Sequence, residues 1–470
     1  MSRLPHGPTP HASTTAAVVL VAVAARLPHA LSASLWMDEV ASARILSEPT
    51  FGGMLGRVAR TESTPPLWYA LGWALHHAGA GLVDVRLLSV LAGGLLALTV
   101  VALADEILPR PAPYVAGLLV ALGSQFVAHG RELRAYELLA LVAAALGLAL
   151  VRALRAPTRG NFAVLAAVTA AGLLTHYFFV FSLATGLAWL WLDPQARRIR
   201  RPATLAIAAG AAAGAAWAPW LVRQYGNGRF WWIGSVRPLY VVEAPLRLFV
   251  GRLPGGVGAS VLGGVFLALV GVGAVRLGRD SGPGRLYALL ALGPLVAAGG
   301  LWLAGMRIFA VRNVIELGPF AAIAVAALPA ALPVRARRPF AAAVVAACVG
   351  LAVAVPPETV APYDRLAGEL SAAGWRPSDP IALYGNPLQA RAPLEWYLPH
   401  RPALYVAGGS AARCRDVFLV VGRAVSPGGW VVVRERPGLA RLRGASFLVG
   451  RSAQPACVRL SHDPRLAPIL

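Results

Sequence analysis

Long apolar segments recur along the first 356 positions of this chain of 470 residues, and they restrict its possible folds more than any other feature. Hydrophobic residues make up 57% of the sequence and charged residues only 14%, whereas a soluble protein carries about 25% charged residues. A segment of ~20 apolar residues is long enough to cross the hydrocarbon core of a bilayer. The sequence therefore predicts a mainly α-helical, polytopic membrane bundle.

About eleven segments are candidates for membrane-spanning helices. They lie at approximately 13–35, 86–104, 112–129, 136–152, 161–175, 177–192, 202–222, 259–276, 285–304, 313–333 and 339–356. Segment 64–80 is apolar but short, so we expect a juxtamembrane helix that lies on or dips into the interface. With a cytoplasmic N-terminus, most arginine-rich connections between spans fall on the inner side, in agreement with the positive-inside rule. The long loop 223–258 carries five arginines and is the exception, because it falls on the outer side.

The formal net charge of +22 comes from arginine, because the chain has 43 basic residues and no lysine. In a soluble protein such a charge would suggest nucleic acid as a partner. Here the arginines cluster in short connections between apolar segments, where they set topology and contact anionic lipids. We therefore expect membrane lipids, and no nucleic acid, among the partners.

The composition changes after position 356, where short β-rich runs alternate with glycine, proline and charged residues. The runs lie at 381–384, 403–406, 417–421, 430–433 and 446–449, and a helical stretch lies near 363–373. This pattern predicts a small soluble α/β domain at 357–470, which follows a transmembrane domain at 1–356. Cys414 and Cys457 both fall in the tail and could pair if it is extracytoplasmic, a question that the sequence leaves open.

Acidic residues lie close to the predicted outer membrane surface. Asp38-Glu39 follows the first apolar segment, and Glu62 shortly precedes Pro65-Pro66. Carboxylates near hydrocarbon are costly to place, so they usually persist because a site needs them. Two alternatives stay open, because Asp38 could cap a helix from 40 to 46, and Glu39 or Glu62 could face water.

Arginines are predicted at the same level of the bundle. The candidate substrate-binding residues are Arg86, Arg131, Arg134, Tyr136, Arg307 and Arg312. The planar guanidinium forms paired hydrogen bonds with phosphate, and a partly desolvated carboxylate suits a general base. Glycosyl transfer from a lipid phosphate requires both groups. The arginines could alternatively bind lipid headgroups, and Tyr136 could anchor a helix at the interface.

These segments resemble the C-type membrane glycosyltransferases, in particular the family 39, dolichyl-phosphate-mannose protein mannosyltransferase-like group. The resemblance rests on the segments 36–39, 62–69, 86–89 and 130–136 in this order, and it covers roughly the first 200 residues. It implies a polyprenyl-phosphate sugar donor, an extracytoplasmic active site in a bacterial plasma membrane, and inversion at the anomeric carbon. The acceptor could be a glycan, a lipid or a protein.

The resemblance also implies roles for individual residues. Asp38 would be the catalytic carboxylate of the first loop, and Glu39 and Glu62 would orient the acceptor or support a divalent ion. Arg131, Arg134 and Tyr136 would hold the lipid phosphate or shape its cavity. The family often has an Arg-Tyr step at the start of a late span, where this chain has Arg312-Asn313, so the role of Arg312 is less defined.

Two other functional classes remain open. A transporter or flippase of lipid-linked sugars would favour broken helices and polar residues near the bilayer midplane. In this chain the middle of each span is mostly Ala, Val, Leu and Gly, and the charges gather near one surface, which favours the enzyme. A scaffold is suggested only by the soluble tail. No metal-binding motif is evident, because His76 and His77 lack the acid and spacing of a zinc helix.

Overall fold

The computed structural model describes most of the chain up to residue 331 and parts of the remainder. The described residues are 12–32, 34–226, 237–251, 253, 256–331, single positions and short runs within 333–350, 363–372, 374–377, 381–384, 387–398, 404–413, 418–421, 430–436, 447–452 and 458–461. The chain divides into two compact units. One comprises Met1–Ala30 and Ile45–Pro357, and the other comprises Leu31–Arg44 and Glu358–Leu470.

Helices make up nearly all of the regular structure before residue 332. They are α1 (Ala12–Ser32), α2 (Met37–Leu46), α3 (Phe51–Thr61), α4 (Leu67–His77), α5 (Leu87–Asp105), α6 (Ala112–Leu122), α7 (Ser124–His129), α8 (Tyr136–Arg155), α9 (Arg159–Thr175), α10 (Phe179–Leu192), α11 (Arg200–Ala215), α12 (Ala218–Gly226), α13 (Pro238–Val250), α14 (Val257–Asp280), α15 (Gly282–Leu303) and α16 (Gly318–Ala327). Short 3₁₀ turns lie at Asp84–Arg86, Pro194–Arg198, Val311–Leu317 and Leu328–Ala331.

Side-chain caps fix the starts of several of these helices. The hydroxyls of Thr50, Thr158 and Ser281 each accept a hydrogen bond from the backbone N–H three residues ahead, at the starts of α3, α9 and α15. Such a bond satisfies one of the donors that the first helical turn leaves free. The apolar residues that follow each cap continue the helix.

Several helices are long and apolar enough to cross a membrane, so the chain is a multi-pass membrane protein. Among the described residues there are five by length and composition, and six if the bent pair α11 and α12 forms one span. The five are Ala12–Ser32, Asp84–Asp105, Tyr136–Arg155, Val257–Arg279 and Gly282–Leu303. The segment around α8 is the most enclosed, with 72% of its apolar window buried.

The remaining predicted spans are broken or shorter. Segment 112–129 is interrupted at Gly123 between α6 and α7, and segment 202–222 bends by 57° between α11 and α12. Segment 313–333 begins as a 3₁₀ turn before α16, and segment 339–356 falls largely outside the described residues. The total of eleven spans therefore stays a prediction.

The apolar segment 64–80 contains only the short helix α4. Its 11 residues extend ~16 Å at the usual helical rise, about half of a ~30 Å hydrocarbon core. The helix also ends in two histidines, His76 and His77. This length agrees with a juxtamembrane helix rather than a membrane span.

The second unit contains two helices and a sheet. The helices are α17 (Tyr363–Ala372) and α18 (Pro387–Tyr397), and the strands are β1 (Ile381–Tyr384), β2 (Leu404–Arg413), β3 (Phe418–Val421), β4 (Trp430–Arg436), β5 (Phe447–Ser452) and β6 (Val458–Ser461). The strand order is β4-β5-β3-β1-β2-β6. Strand β1 pairs in parallel with β2 and β3, and the other described pairs are antiparallel. Cys414 and Cys457 lie outside the described residues.

Candidate active site

Arg26, a buried arginine in α1, connects three helices of the candidate site. The Arg26 guanidinium donates to the carbonyl oxygens of Ala121 at 2.9 Å and Val120 at 3.2 Å. These carbonyls are free because α6 ends before Gly123 and they have no partner within the helix. Arg26 also donates to the Glu137 carboxylate at 2.9 Å, and both side chains are fully buried. The ion pair therefore joins α1, the end of α6 and the start of α8.

Two glycines make room for this arginine. A Cβ atom at Gly130 would lie 2.2 Å from Nε of Arg26, and one at Gly93 would lie 2.4 Å from the same atom. Both distances are far below van der Waals contact, so a side chain at either position would displace the guanidinium. Gly130 is the first residue of the turn 130–135 between α7 and α8. The close approach at Gly130 thus brings the turn against the buried ion pair.

The backbone of this turn is also held from α5. The Ser89 hydroxyl donates to the Glu132 carbonyl oxygen at 2.8 Å, with a longer contact of 3.4 Å to the Arg134 carbonyl oxygen. Leu133, between these two residues, is fully buried. A buried apolar side chain and a backbone bond on either side restrict the turn to one conformation. Its charged side chains, including Arg131, therefore extend from a fixed backbone.

Glu62 and Arg134 form the central ion pair of the site. Nη1 of Arg134 lies 3.2 Å from each carboxylate oxygen of Glu62 and 3.1 Å from the Tyr69 hydroxyl. Glu62 is 4% exposed and Arg134 is 8% exposed, so little water screens the pair. Burial raises the pKa of Tyr69 well above its usual range, so its hydroxyl remains protonated. Two groups from α4 and its preceding turn thus orient one guanidinium.

A second arginine approaches from the other end of the sequence. The guanidinium carbon of Arg312 lies 5.4 Å from the centre of the Tyr136 ring, and that of Arg134 lies 5.9 Å from it. Both distances are within the range of a cation–π interaction. The 3₁₀ turn that carries Arg312 is closed by Asn313, whose amide donates to the Ile308 carbonyl oxygen at 2.9 Å. Tyr136 therefore brings two predicted phosphate ligands together.

Glu132 links this pair to Arg131. Burial alone would raise its pKa, but His129, Arg131 and Arg312 favour the ionised carboxylate, and the pKa of Glu132 is lowered. Nδ1 of His129 lies 3.0 Å from the Glu132 carboxylate. The other ring nitrogen, Nε2, is buried and has no hydrogen-bond partner among the described residues. The cluster thus contains a carboxylate-oriented imidazole with one nitrogen available to a ligand.

The His176 ring packs against the ring of Tyr136. Its ring centre lies 5.5 Å from that of Tyr136, and the Tyr136 ring lies 4.8 Å from His129. Burial, with the charges of Arg134 and Arg312, lowers the pKa of His176 to about 3. This imidazole therefore stays neutral at physiological pH and adds no charge to the site.

Two predicted ligands lie apart from these contacts. Arg307 is exposed in the stretch that leads to Arg312. Arg86 is 1% exposed and donates to the Ala30 carbonyl oxygen at 3.1 Å, near the end of α1. A bond to the last turn of a helix satisfies a carbonyl that the helix leaves free. The ligand roles of Arg86 and Arg307 stay predictions.

The acid pair Asp38-Glu39 belongs to the second unit, at the start of α2. Asp38 is half-buried and Glu39 is fully buried. The Glu39 carboxylate accepts a hydrogen bond of 3.3 Å from the backbone N–H of Trp36. This is the return bond of a capping box, in which an acid reaches back to the residue before the helix. Glu39 therefore has a structural partner of its own.

Some members of the cluster were not assigned to the site from sequence. Glu132 stands between two arginines in a polar turn, a place typical of solvated acids. His129 and His176 flank short turns, where a histidine can equally anchor a helix end, and Tyr69 lies in the family-like segment 62–69 without an assigned role. Glu132 and His129 lie within a few residues of Arg131, Arg134 and Tyr136, which is a signal in the sequence. Tyr69 and His176 are distant in sequence and have no such signal. Among the described residues, no group of three or more His, Cys, Asp and Glu side chains could hold a metal ion.

Comparison with known proteins identifies the kind of fold. Residues 63–222 match the family model of dolichyl-phosphate-mannose-protein mannosyltransferases. No curated protein matches the chain in sequence. The matched segment includes Glu62's partner Arg134, together with Arg131 and Tyr136.

Three solved structures share the fold. ArnT from Cupriavidus metallidurans bound to undecaprenyl phosphate is 14% identical, with 94% of this chain and 98% of that chain covered and a TM-score of 0.52. The apo oligosaccharyltransferase of Archaeoglobus fulgidus is 13% identical, with coverages of 83% and 64% and a TM-score of 0.53. Mycobacterial arabinofuranosyltransferase AftD is 16% identical, with coverages of 94% and 40% and a TM-score of 0.51.

Identities this low establish similarity of fold alone, and the chain corresponds to less than half of the length of AftD. The family match adds a sequence relationship over one third of the chain, in the segment that carries the α7–α8 turn. The predicted resemblance to C-type, protein-mannosyltransferase-like membrane glycosyltransferases is thus confirmed, by the family model over residues 63–222 and by the fold over most of the chain.

Proposed function

We propose that this protein is an inverting membrane glycosyltransferase that moves a sugar from a polyprenyl-phosphate donor to an extracytoplasmic acceptor. The observation that carries the proposal is the convergence of Arg131, Arg134 and Arg312 on the residues around Tyr136. Guanidiniums held at a partly buried site are suited to a phosphate group. The fold neighbour ArnT, bound to undecaprenyl phosphate, supports a lipid phosphate as that ligand.

The proposed reaction is a single displacement. The acceptor hydroxyl oxygen forms the new bond to the anomeric carbon and loses its proton to the Asp38 carboxylate. The bond from that carbon to the phosphate oxygen breaks, and its electron pair stays on the polyprenyl phosphate, which leaves. The arginine cluster stabilises the charge on the leaving group. One displacement at the anomeric carbon inverts its configuration.

Glu62 serves in this proposal as a positioning residue for Arg134. It contacts the guanidinium with both carboxylate oxygens, and it is almost completely buried. Because both carboxylate oxygens contact the guanidinium, we assign Glu62 to holding Arg134 rather than to proton transfer. The family resemblance implies a different role for Glu62, which is to orient the acceptor or support a divalent ion.

The topology and the tail complete the proposal. We infer that the active site and the domain 357–470 face the extracytoplasmic side of a bacterial plasma membrane. The chain would cross this membrane about eleven times, with most arginine-rich loops on the cytoplasmic side. The nature of the sugar, mannose or another hexose or a pentose, and of the acceptor, a glycan, lipid or protein, is left open. Neither is specified by the arginine cluster, which recognises phosphate.

The test is sugar transfer by the purified full-length protein from a panel of undecaprenyl-phosphate sugars that includes mannose. We expect Asp38→Asn to abolish transfer at unchanged protein levels, and the exposed loop variant Asp84→Asn to retain it. Arg312→Gln should weaken the binding of undecaprenyl phosphate. Full transfer by Asp38→Asn would remove that residue from the mechanism. Movement of the lipid-linked sugar across vesicles without its consumption would favour a transporter instead.

A further inference from the structure

We propose that the C-terminal unit positions the acid pair Asp38-Glu39, because α17 and α18 hold the segment that carries the pair at both of its ends. This inference rests on the proposed function, in which Asp38 takes the proton of the acceptor. The C-terminal unit would then affect the rate of sugar transfer, whereas the arginine cluster recognises the donor. The contacts that carry it all lie within the second unit.

The first contact is made by Ser34, just ahead of the acid pair. Its hydroxyl donates to a carboxylate oxygen of Asp364 at 2.9 Å and accepts from the Asp364 backbone N–H, also at 2.9 Å. Ser34 is 6% exposed, so water competes little for these bonds. The two bonds join one residue of the segment to the first turn of α17.

The next residue is held by α18. The backbone N–H of Leu35 donates to the Tyr397 hydroxyl at 2.9 Å, and the Leu35 side chain is 2% exposed. A buried N–H that loses its partner costs the desolvation of that group. Tyr397 therefore fixes the backbone only three residues before Asp38.

The far end of the segment is held by an ion pair. Arg44 on α2 lies 3.3 Å from the Glu395 carboxylate, and Arg391 orients that carboxylate from the preceding turn of α18 at 2.7 Å. Both side chains of the Arg44–Glu395 pair are less than one-third exposed. The acid pair thus lies between two anchors, both of which come from the tail.

The anchors affect catalysis because they lie only a few residues from Asp38 in the sequence. Asp38 is four residues from Ser34 and six from Arg44, so a shift of either anchor moves its carboxylate. A misplacement of ~1 Å at a catalytic group can cost up to ~100-fold in rate. Loss of an anchor should therefore lower turnover without changing the binding of the lipid phosphate. A ligand that moved α17 or α18 would control turnover through the same contacts.

The test compares variants of the full-length protein in the transfer assay. We expect Ser34→Ala, Tyr397→Phe and Arg44→Ala each to lower kcat roughly 3- to 10-fold, with the KM for the lipid-linked donor unchanged. The matched controls are Ser371→Ala, whose hydroxyl donates to the Ala367 carbonyl oxygen within α17, and Arg365→Ala, an exposed arginine of α17. Both should behave as the wild type. Unchanged kcat in all three anchor variants would overturn the inference.

Backbone hydrogen exchange tests the anchoring independently of the identity of the donor, and a double variant in the transfer assay tests the ion pair. Backbone hydrogen exchange in 34–44 should rise in Ser34→Ala and Tyr397→Phe but not in Ser371→Ala, and equal exchange in all would refute the anchoring. Arg44→Ala combined with Glu395→Gln should cost no more kcat than Arg44→Ala alone, whereas additive losses would contradict the pair. Asp38→Asn reports separately on the chemistry, so failure of either proposal is distinguishable.

Discussion

The Glu62–Arg134 pair gives the most discriminating prediction about the candidate active site. If Glu62 acts only by holding Arg134, its removal has no further effect once Arg134 is gone. If Glu62 were an independent catalytic acid, the two losses would multiply. A double-mutant cycle of Glu62→Gln and Arg134→Gln separates these cases, because it measures the coupling between two residues in contact.

The magnitudes follow from burial and charge. A hydrogen bond from a charged group contributes about 1.5–3 kcal/mol, so losing Arg134 at the phosphate should lower kcat/KM roughly 10- to 100-fold. Glu62→Gln should cause a loss that approaches this value, and the double variant should equal Arg134→Gln. Breaking one side of a buried ion pair costs about 3–5 kcal/mol of stability. The double variant should therefore be more stable than the sum of the single effects predicts.

Transfer kinetics and thermal unfolding in detergent would measure both effects. A matched control is Glu48→Gln, because Glu48 pairs with Arg57 in the same unit but both side chains are partly exposed, at 20% and 36%. Such pairs contribute about 0–1 kcal/mol, so this variant should resemble the wild type. Losses of kcat/KM that multiply in the double variant would refute the positioning role of Glu62 and restore it as an acid of its own.

Three further outcomes are expected. Gly130→Ala should destabilise the protein by about 1–3 kcal/mol, because the added Cβ would overlap Arg26. Gly52→Ala is the control and should not destabilise it, because no atom lies within 4 Å of the added Cβ. Thermal unfolding compares the two variants. Ser89→Ala should lower kcat/KM about 2- to 10-fold by freeing the turn 130–135, which transfer kinetics would detect. The pKa of His176 falls to about 3 on folding, so the unfolded chain binds more protons than the folded chain between pH 3 and 6.5. His176 therefore favours unfolding increasingly as pH falls through that window. We expect His176→Gln to weaken the decrease of the unfolding temperature with decreasing pH.

The helical membrane class followed from composition, but the breaks within the spans did not. Segment 112–129 is mostly apolar, and its mean hydropathy is the same whether or not a helix stops at Gly123. The break is stabilised by Arg26, a residue nearly 100 positions earlier, whose guanidinium satisfies the carbonyls that the break exposes. Tertiary contacts of this kind leave no local trace in the sequence.

The sequence predicted that the site residues lie at one level of the membrane, but it did not predict which of them form ion pairs. Glu62 and Arg134 are 72 positions apart, and the sequence placed both near the outer surface but gave them separate roles. Arg312 was the less defined ligand, yet it shares the Tyr136 ring with Arg134. Glu132 lies in a polar turn, where an acid is usually solvated, and only the fold brings it within the influence of both Arg131 and Arg312.

In the proposed function, the charges of the cluster meet both the sugar donor and the leaving phosphate. Arg131, Arg134 and Arg312 face the carboxylates Glu62 and Glu132, which leaves one excess positive charge and matches a sugar phosphodiester. After transfer the leaving phosphate gains negative charge, about −1.5 to −2 in total. His176 is held neutral and Tyr69 stays protonated, so neither balances this gain. Nδ1 of His129 lies 3.0 Å from the Glu132 carboxylate, and Nε2 of the same ring is buried with no hydrogen-bond partner among the described residues. In the proposed function, this second nitrogen is therefore available for a hydrogen bond to the leaving phosphate.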